Sequence, residues 1–257
     1  MDIVFVGAGR LATNLCCALH KKGHRITAVY SRTQASAEAL ASMVGSFATD
    51  NIAFLPLEAD AFIIAIKDSA LTTVIPLLKK GREEQFFFHT AGSMPMSVFD
   101  ESIPNVGVIY PMQTFSKERL VDFSHIPFFI EGRQNIALEK ARQIVLSVSD
   151  NVRELNSEGR RHLHLAAVFA CNFANHCYAL SEEVLKKFDI PFSVMLPLVT
   201  ETAEKVKTMS PKIAQTGPAV RFDRNVIEAQ SQLLSDSPEL QTIYNLMSKS
   251  ICRLAND

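Results

Sequence analysis

A short apolar run followed by two closely spaced glycines occupies residues 3–12, at the start of the chain. The apolar residues predict a buried strand, and Gly7, Gly9 and Ala12 follow it in the order Gly-x-Gly-x-x-Ala. The glycines allow a tight turn and a close approach of the backbone to a bulky anion, while Ala12 lets the next helix pack near the strand. Free N–H groups at the start of that helix suit a pyrophosphate. The stretch therefore predicts a dinucleotide site with contacts from Gly7, Ala8, Gly9, Arg10 and Leu11.

The end of the second predicted strand, residues 26–30, indicates which dinucleotide binds. It is followed by Ser31 and Arg32, where folds that prefer NAD usually hold an acidic residue against the ribose hydroxyls. A hydroxyl and a guanidinium suit a 2'-phosphate instead, because the planar fork of Arg matches phosphate oxygens and adds no negative charge. We therefore predict NADP(H) rather than NAD(H). The alternative is that Arg32 is a solvated arginine after a strand.

Two further apolar strands bring polar residues to the same predicted edge of the sheet. The strand at 61–66 is almost wholly non-polar, as expected of a strand buried on both faces. The strand at 86–89 leads into small and hydroxyl-bearing residues at 90–93. Because ligands bind at the carboxyl ends of parallel strands, we predict cofactor contacts from Ile66, Lys67, Thr90 and Ser93. Lys67 as a surface lysine and His89 as a packed strand residue are the structural alternatives.

The pattern of the chain changes near residue 156. Before it, strands alternate with helices, which predicts an α/β fold with a Rossmann-like, doubly wound, mainly parallel sheet. After it the apolar period is helical only, and a helix over residues 157–188 would be about 48 Å long at 1.5 Å per residue. We therefore predict a cofactor-binding domain at 1–156 and an all-helical domain for substrate binding and dimerisation at 157–257.

A polar stripe with steps of three and four residues runs along this long helix and includes His164, Asn172 and Asn175. We predict that His164 gives or takes a proton near neutral pH and that Asn172 orients a carbonyl or hydroxyl group. Asn175 is expected to contact the substrate. The same pattern suits polar residues buried between helices or at a dimer contact, and both interpretations stay open.

A loop with few apolar residues, 215–224, supplies one more candidate. Asp223 suits the N-cap of the helix that follows. Arg221 is the functional candidate, since a cation in a Gly-Pro loop can bind a substrate carboxylate or phosphate, or an acidic side chain of another helix.

The composition of the chain limits the classes of partner that we expect it to bind. Lys and Arg together number 26 against 27 Asp and Glu, so no basic excess indicates a nucleic acid. No apolar run approaches the ~20 residues of a membrane span. The five cysteines lack a Cys-x-x-Cys pair, no metal-ligand spacing is present, and a strand starting at residue 3 leaves no room for a secretory leader. We expect a cytoplasmic protein with reduced thiols, no metal and a small-molecule ligand.

Six stretches of the chain have to be considered together: residues 6–12, 31–32, 89–93, 110–115, 164–172 and 216–223. As a set they resemble a group of bacterial NADP oxidoreductases, in which a Rossmann domain precedes a helical domain of unknown function. The architecture is similar to pyrroline-5-carboxylate reductase and to 6-phosphogluconate and 3-hydroxyacid dehydrogenases. By analogy, the resemblance implies a homodimer formed through the helical domain.

The chain also departs from these patterns. The hydroxyacid dehydrogenases carry a catalytic Lys on the long helix with an Asn one turn later, whereas here His164 is followed one turn later by Val168. The group's usual Tyr before the helix histidine is replaced by Leu163, and its usual Gly after the loop arginine by Phe222. A borrowed mechanism therefore does not transfer directly.

The leading prediction is an NADP-dependent oxidoreductase that transfers hydride to or from a small carbonyl, hydroxy or imine compound bound between the domains. The alternative is a non-catalytic NADP-binding sensor or regulatory protein, which the absent Lys/Asn pair favours. A methyltransferase is a weaker third interpretation, because such enzymes generally need an acidic residue where Ser31 and Arg32 stand.

Overall fold

The computed structural model describes residues 1–256, which form two compact units divided after Asn172. The first unit contains one eight-stranded sheet. Its strands are β1 (Asp2–Val6), β2 (Arg25–Tyr30), β3 (Phe47–Thr49), β4 (Ala61–Ile64), β5 (Phe87–His89), β6 (Val106–Pro111), β7 (Phe128–Gly132) and β8 (Val152–Glu154). They lie in the order β3-β2-β1-β4-β5-β6-β7-β8, and every neighbouring pair is parallel except the antiparallel pair β6 and β7. The predicted doubly wound, mainly parallel sheet is confirmed.

Helices cover both faces of this sheet. They are α1 (Arg10–Lys21), α2 (Gln34–Val44), α3 (Asp68–Leu78), α4 (Asn135–Leu146) and α5 (Ser157–Ala167), with 3-10 turns at Ile52–Phe54 and Met96–Val98. Successive side chains of β1 alternate between the two faces. Ile3 and Phe5 enter the core that α1, α2 and α4 cover, whereas Val4 and Val6 enter the core that α3 covers. Because both faces are buried, this strand is apolar from residue 3 to residue 6.

The edge strand β3 is an element that the sequence pattern did not reveal. It has three residues, pairs with β2 alone, and leaves Phe47 half exposed. A strand this short shows no readable alternation of apolar and polar residues, and its position is set by the backbone of its neighbour.

The long helix predicted over residues 157–188 is interrupted. α5 ends at Ala167, a π-helical segment spans Val168–Phe173, and α6 (Ala174–Lys186) follows. A π-helix closes hydrogen bonds over five residues and therefore turns less per residue than an α-helix. The steps of three and four residues predicted to align His164 with Asn172 do not hold across it.

The second unit is all-helical, as predicted. After α6 it contains a 3-10 turn at Phe192–Met195 and the helices α7 (Leu196–Thr208), α8 (Pro211–Ala214), α9 (Arg224–Gln232) and α10 (Pro238–Asn256). Among its described residues only Ala219 and Leu234 are buried. The division after Asn172 puts α5 with the sheet, whereas the predicted boundary after residue 156 lies between β8 and α5. Every helix within residues 1–256 is too short or too polar to cross a membrane.

Candidate functional site

A cavity of about 710 Å³ lies in the first unit, at the carboxyl ends of the central strands. Its volume falls within the range of about 300–1,000 Å³ that is usual for ligand sites. Ten of the predicted cofactor contacts line this one cavity: Gly7, Ala8, Gly9, Arg10, Leu11, Ser31, Arg32, Ile66, Lys67 and Thr90. His164, the predicted proton-transfer residue, lines it as well. The structure therefore brings together predicted site residues from five separate stretches of the sequence.

The glycine turn forms the middle of the cavity wall. Gly7 has a φ of +118° and its N–H donates to the carbonyl of Tyr30 at 2.7 Å. A Cβ on Gly7 would lie 2.2 Å from the carbonyl oxygen of Ala65, so no other residue fits there. A Cβ on Gly9 would meet no atom within 4 Å, because Gly9 faces open space immediately before α1. Gly9 caps that helix without a side chain, which leaves the first N–H groups available to an anion.

Hydroxyl groups and a cation collect where β2 ends and α2 begins. Ser31, Arg32, Thr33 and Ser36 all line the cavity there. The Thr33 hydroxyl donates to Ser36 Oγ at 2.8 Å, and neither side chain caps the helix backbone. A guanidinium, several hydroxyls and a free helix N-terminus together form a site suited to a phosphate group. Thr33 and Ser36 were missed from the sequence, although the run Ser-Arg-Thr-x-x-Ser is readable in it.

The opposite end of the cavity is formed by an aromatic pair. Tyr110, on β6, and His164, on α5, place the phenol oxygen 2.9 Å from imidazole Nδ1, and their rings meet edge to face. Gly92 makes this contact possible, since a Cβ there would lie 2.6 Å from His164 Nδ1 and 2.8 Å from Tyr110 Cζ. Burial raises the pKa of Tyr110, while Arg160 and Asp68 act on it in opposite directions. The phenol is therefore protonated at neutral pH.

A buried ion pair holds α5 against the sheet one turn before His164. Arg160 is 0% exposed and pairs with Glu131 of β7. The same guanidinium donates to the carbonyl oxygen of Met94 at 2.6 Å and to that of Ala91 at 3.3 Å. These bonds join the helix to the loop that contains Gly92, so they fix the position of the histidine relative to the tyrosine.

Polar contacts near the carboxyl ends of β4 and β5 complete the cavity. Asp68, the first residue of α3, lines it and accepts a hydrogen bond from Ser93, which does not itself line it. Lys67 is exposed, and the Thr90 hydroxyl donates to the carbonyl of Ile64 at 3.4 Å. His89 lies outside the lining and is fully buried, which confirms its interpretation as a packed strand residue. Burial, with the charge of Arg160 adding to it, lowers the pKa of His89 to about 3.

The remaining predicted site residues do not line this cavity. Asn172 ends the first unit and is exposed, and Asn175 and Arg221 are exposed residues of the second unit. Phe222, which stands where the related group usually has Gly, has a φ of 54° in the left-handed region that favours glycine. The roles predicted for Asn172, Asn175 and Arg221 stay predictions.

Tyr110 and the Arg160–Glu131 pair were not identified from the sequence as parts of the site, whereas Gly92 belongs to the predicted stretch 90–93. Tyr110 and His164 are 54 residues apart, and Arg160 and Glu131 are 29 apart. No local spacing connects such residues. The available signal was indirect, namely an arginine one helical turn before the candidate histidine.

Comparison with known proteins shows the family to which the chain belongs. The chain is 50% identical to a protein of Bacteroides fragilis named as a putative NADP oxidoreductase, over 98% of both chains and with a TM-score of 0.94. A protein of Thermotoga maritima is 23% identical over 99% of this chain and 98% of its own, with a TM-score of 0.75. An imine reductase of Myxococcus stipitatus in complex with NADP⁺ is 14% identical over 100% of this chain and 93% of its own, with a TM-score of 0.69. At these lower identities the last two show a shared fold.

Two sequence families match successive parts of the chain. Residues 2–88 match the family described as NADP oxidoreductase, coenzyme F420-dependent, and residues 126–251 match a domain of unknown function. No curated protein matches the chain. The resemblance identified from the sequence is confirmed, and at the level of the family so is NADP(H) as the cofactor. The chain belongs to the family of NADP oxidoreductases in which a Rossmann-like domain is followed by a helical domain of unknown function.

Proposed function

We propose that this NADP-dependent oxidoreductase transfers hydride to or from a small carbonyl, hydroxy or imine compound, with His164 as the proton-transfer residue. The observation that carries the proposal is that one cavity connects a phosphate-type site at Ser31 and Arg32 to a hydrogen-bonded Tyr110–His164 pair. Hydride transfer needs a cofactor that is held at one end and a proton donor or acceptor at the other.

The cofactor contacts divide into three groups along the cavity. We propose that residues 7–11 hold the pyrophosphate on backbone N–H groups, and that Ser31, Arg32, Thr33 and Ser36 hold the 2'-phosphate. Ile66, Lys67 and Thr90, with Ser93 acting through Asp68, then contact the nicotinamide half. NADPH, when bound, supplies the hydride. The protein supplies orientation and a proton.

His164 is proposed to exchange that proton with the oxygen or nitrogen of the substrate. Its ring lines the cavity beside the buried phenol, so it is the accessible member of the pair. For the rest of the substrate we propose Asn172 as an orienting group and Asn175 and Arg221 as substrate contacts, as predicted from the sequence. Substituting Arg221 by Gln should raise KM for an anionic substrate while leaving the affinity for NADPH unchanged.

We further propose a homodimer formed through the helical unit. Large apolar side chains of that unit are strongly exposed in the single chain, including Phe188 at 75%, Ile213 at 74% and Leu233 at 78%. Exposed apolar surface on this scale is typical of a subunit interface. Light scattering should give a mass twice that of the 28.5 kDa chain, and the mass of one chain would contradict the dimer.

The decisive experiment follows NADPH oxidation spectroscopically against panels of keto acids, aldehydes and cyclic imines. We expect turnover of at least one class, and a loss of about 100-fold or more in kcat for His164→Ala, the usual range for removing a general acid or base. His162→Ala, which changes an exposed histidine on the same helix, is the matched control. Tight NADPH binding with no turnover in any panel would instead support the non-catalytic sensor.

A further inference from the structure

Tyr110 and His164 are joined by a hydrogen bond whose direction can be worked out from their surroundings. The phenol is 8% exposed, and burial raises its pKa, so the hydroxyl carries its proton at neutral pH. Two acceptors lie in reach of that proton, His164 Nδ1 at 2.9 Å and Met112 Sδ at 3.8 Å. An imidazole nitrogen is a much stronger acceptor than a thioether sulfur. With a neutral imidazole, the phenol therefore donates to Nδ1.

A hydroxyl group can also accept a hydrogen bond, which matters once the histidine is charged. Both ring nitrogens of an imidazolium are donors. The Tyr110 oxygen can then accept from Nδ1–H by rotation of its hydroxyl hydrogen. The phenol thus remains the partner of Nδ1 in both protonation states, and Nε2 is left as the nitrogen that exchanges protons.

We propose that Tyr110 is a positioning residue that reserves Nδ1 of His164 and so makes Nε2 the atom that exchanges the substrate proton. This inference rests on the proposed function of His164. In the reducing direction Nε2–H of the imidazolium passes to the substrate oxygen or nitrogen as hydride forms the new C–H bond. The histidine is left as the neutral Nδ1–H tautomer, whose proton the Tyr110 oxygen accepts until exchange with solvent restores the resting tautomer, in which Nε2 is protonated and Tyr110 donates to Nδ1. The oxidising direction is the reverse of this step, in which Nε2 of the Nδ1–H tautomer takes up the hydroxyl or amine proton.

The surroundings of the pair are built to keep this geometry. Gly92 leaves space for both rings, and Arg160 fastens α5 one turn before His164. The charged groups that act on the phenol are Arg160 of α5 and Asp68 at the start of α3. Arg160 is neutralised by Glu131, and Asp68 accepts a hydrogen bond from Ser93. Neither group competes with the imidazole for the phenol oxygen in the structure.

The first test reads the tautomer directly and needs no substrate. Nitrogen NMR of ¹⁵N-histidine-labelled protein, with His164 assigned through His164→Gln, reports which ring nitrogen carries the proton above neutral pH. We expect wild type to show one tautomer with the proton on Nε2, and Tyr110→Phe to show an average of both. Tyr244→Phe, which removes a phenol bonded to Gln230, is the matched control and should leave the His164 signals unchanged. A protonated Nδ1 in neutral wild type, or identical signals in Tyr110→Phe, would overturn the inference.

The second test uses turnover and separates this inference from the proposed function. Tyr110→Phe should lower kcat by about 10-fold, with the NADPH dissociation constant unchanged, because it keeps the aromatic ring that lines the cavity and removes only the hydroxyl bonded to His164. In the His164→Ala background the same change should have no further effect, since groups that act as a unit are not additive. Equal losses in both backgrounds would assign Tyr110 an independent role. If the tautomer shifts as expected but no substrate is turned over, the proposed function fails while the pairing stands.

Discussion

The two ends of the cavity differ in how they are assembled. The end proposed for the 2'-phosphate, here called the phosphate end, is made from residues 7–11 and 31–36, and contains backbone N–H groups, hydroxyls and two exposed cations, Arg10 and Arg32. The other end, which is the proposed site of proton transfer and is here called the reaction end, joins side chains of β6 and α5 and is held by a buried ion pair between α5 and β7. The first end depends on local backbone conformation, and the second depends on packing between distant elements. Substitutions at the first end should therefore mainly change cofactor affinity, whereas substitutions at the second should mainly change stability and the reaction.

The largest effect is expected at the reaction end. Arg160→Met leaves the carboxylate of Glu131 without its guanidinium partner, and breaking a buried ion pair in this way costs about 3–5 kcal/mol. The free energy of unfolding, measured by urea denaturation, should fall by that amount. Arg142→Met, which breaks a surface pair with Glu154, should cost under about 1 kcal/mol. An equal loss for both variants would show that the ion pair does not hold α5.

Two single substitutions in the glycine turn, compared with each other, separate an effect on folding from an effect on cofactor binding. Gly7→Ala forces a Cβ against the Ala65 carbonyl at a positive φ and should lower the free energy of unfolding by about 3 kcal/mol. Gly9→Ala meets open space, so its stability should stay near wild type while the affinity for NADPH falls. Urea denaturation and calorimetric titration measure the two effects. Unchanged NADPH affinity in Gly9→Ala would place the pyrophosphate elsewhere.

At the phosphate end, Arg32→Ala should change the preference for NADPH over NADH and leave the stability of the fold unchanged. Hydrogen bonds to charged groups contribute about 1.5–3 kcal/mol, so the dissociation constant for NADPH should rise about 10- to 100-fold. The constant for NADH should change little, because NADH lacks the 2'-phosphate. Arg25→Ala, an exposed arginine paired with Asp2 outside the cavity, is the control. An equal rise in the dissociation constants for NADPH and NADH would contradict the assignment of Arg32 to the 2'-phosphate.

His89, a buried residue of β5 outside the cavity lining, should make the free energy of unfolding depend on pH. Its pKa is lowered to about 3 in the folded chain, mainly by burial, so the unfolded chain binds more protons between about pH 6.5 and pH 3. This group's contribution to stability is therefore lost as pH falls through that window, by at most about 1.4 kcal/mol per pH unit. His89→Gln should reduce the slope of unfolding free energy against pH. An unchanged slope would mean that His89 is protonated in the folded protein.

The contrast between the two ends also explains what could be predicted from the sequence. The sheet, the glycine turn and Ser31–Arg32 follow from local rules about strands, turns and phosphate groups, and the structure places them in one cavity. The Tyr110–His164 contact and the Arg160–Glu131 pair arise only when β6, β7 and α5 pack together. The π-helical segment at Val168–Phe173 likewise has no local signature, and it breaks the helical spacing on which the position of Asn172 was predicted.

A single cavity is proposed to hold NADPH with its 2'-phosphate at one end and its nicotinamide beside His164 at the other. The decisive measurement is a crystal structure of the protein with NADPH bound. We predict the 2'-phosphate against Ser31 and Arg32, the pyrophosphate on residues 7–11, and the nicotinamide at the end that Tyr110 and His164 line. A nicotinamide bound away from His164, or a 2'-phosphate with no contact to Arg32, would contradict the account.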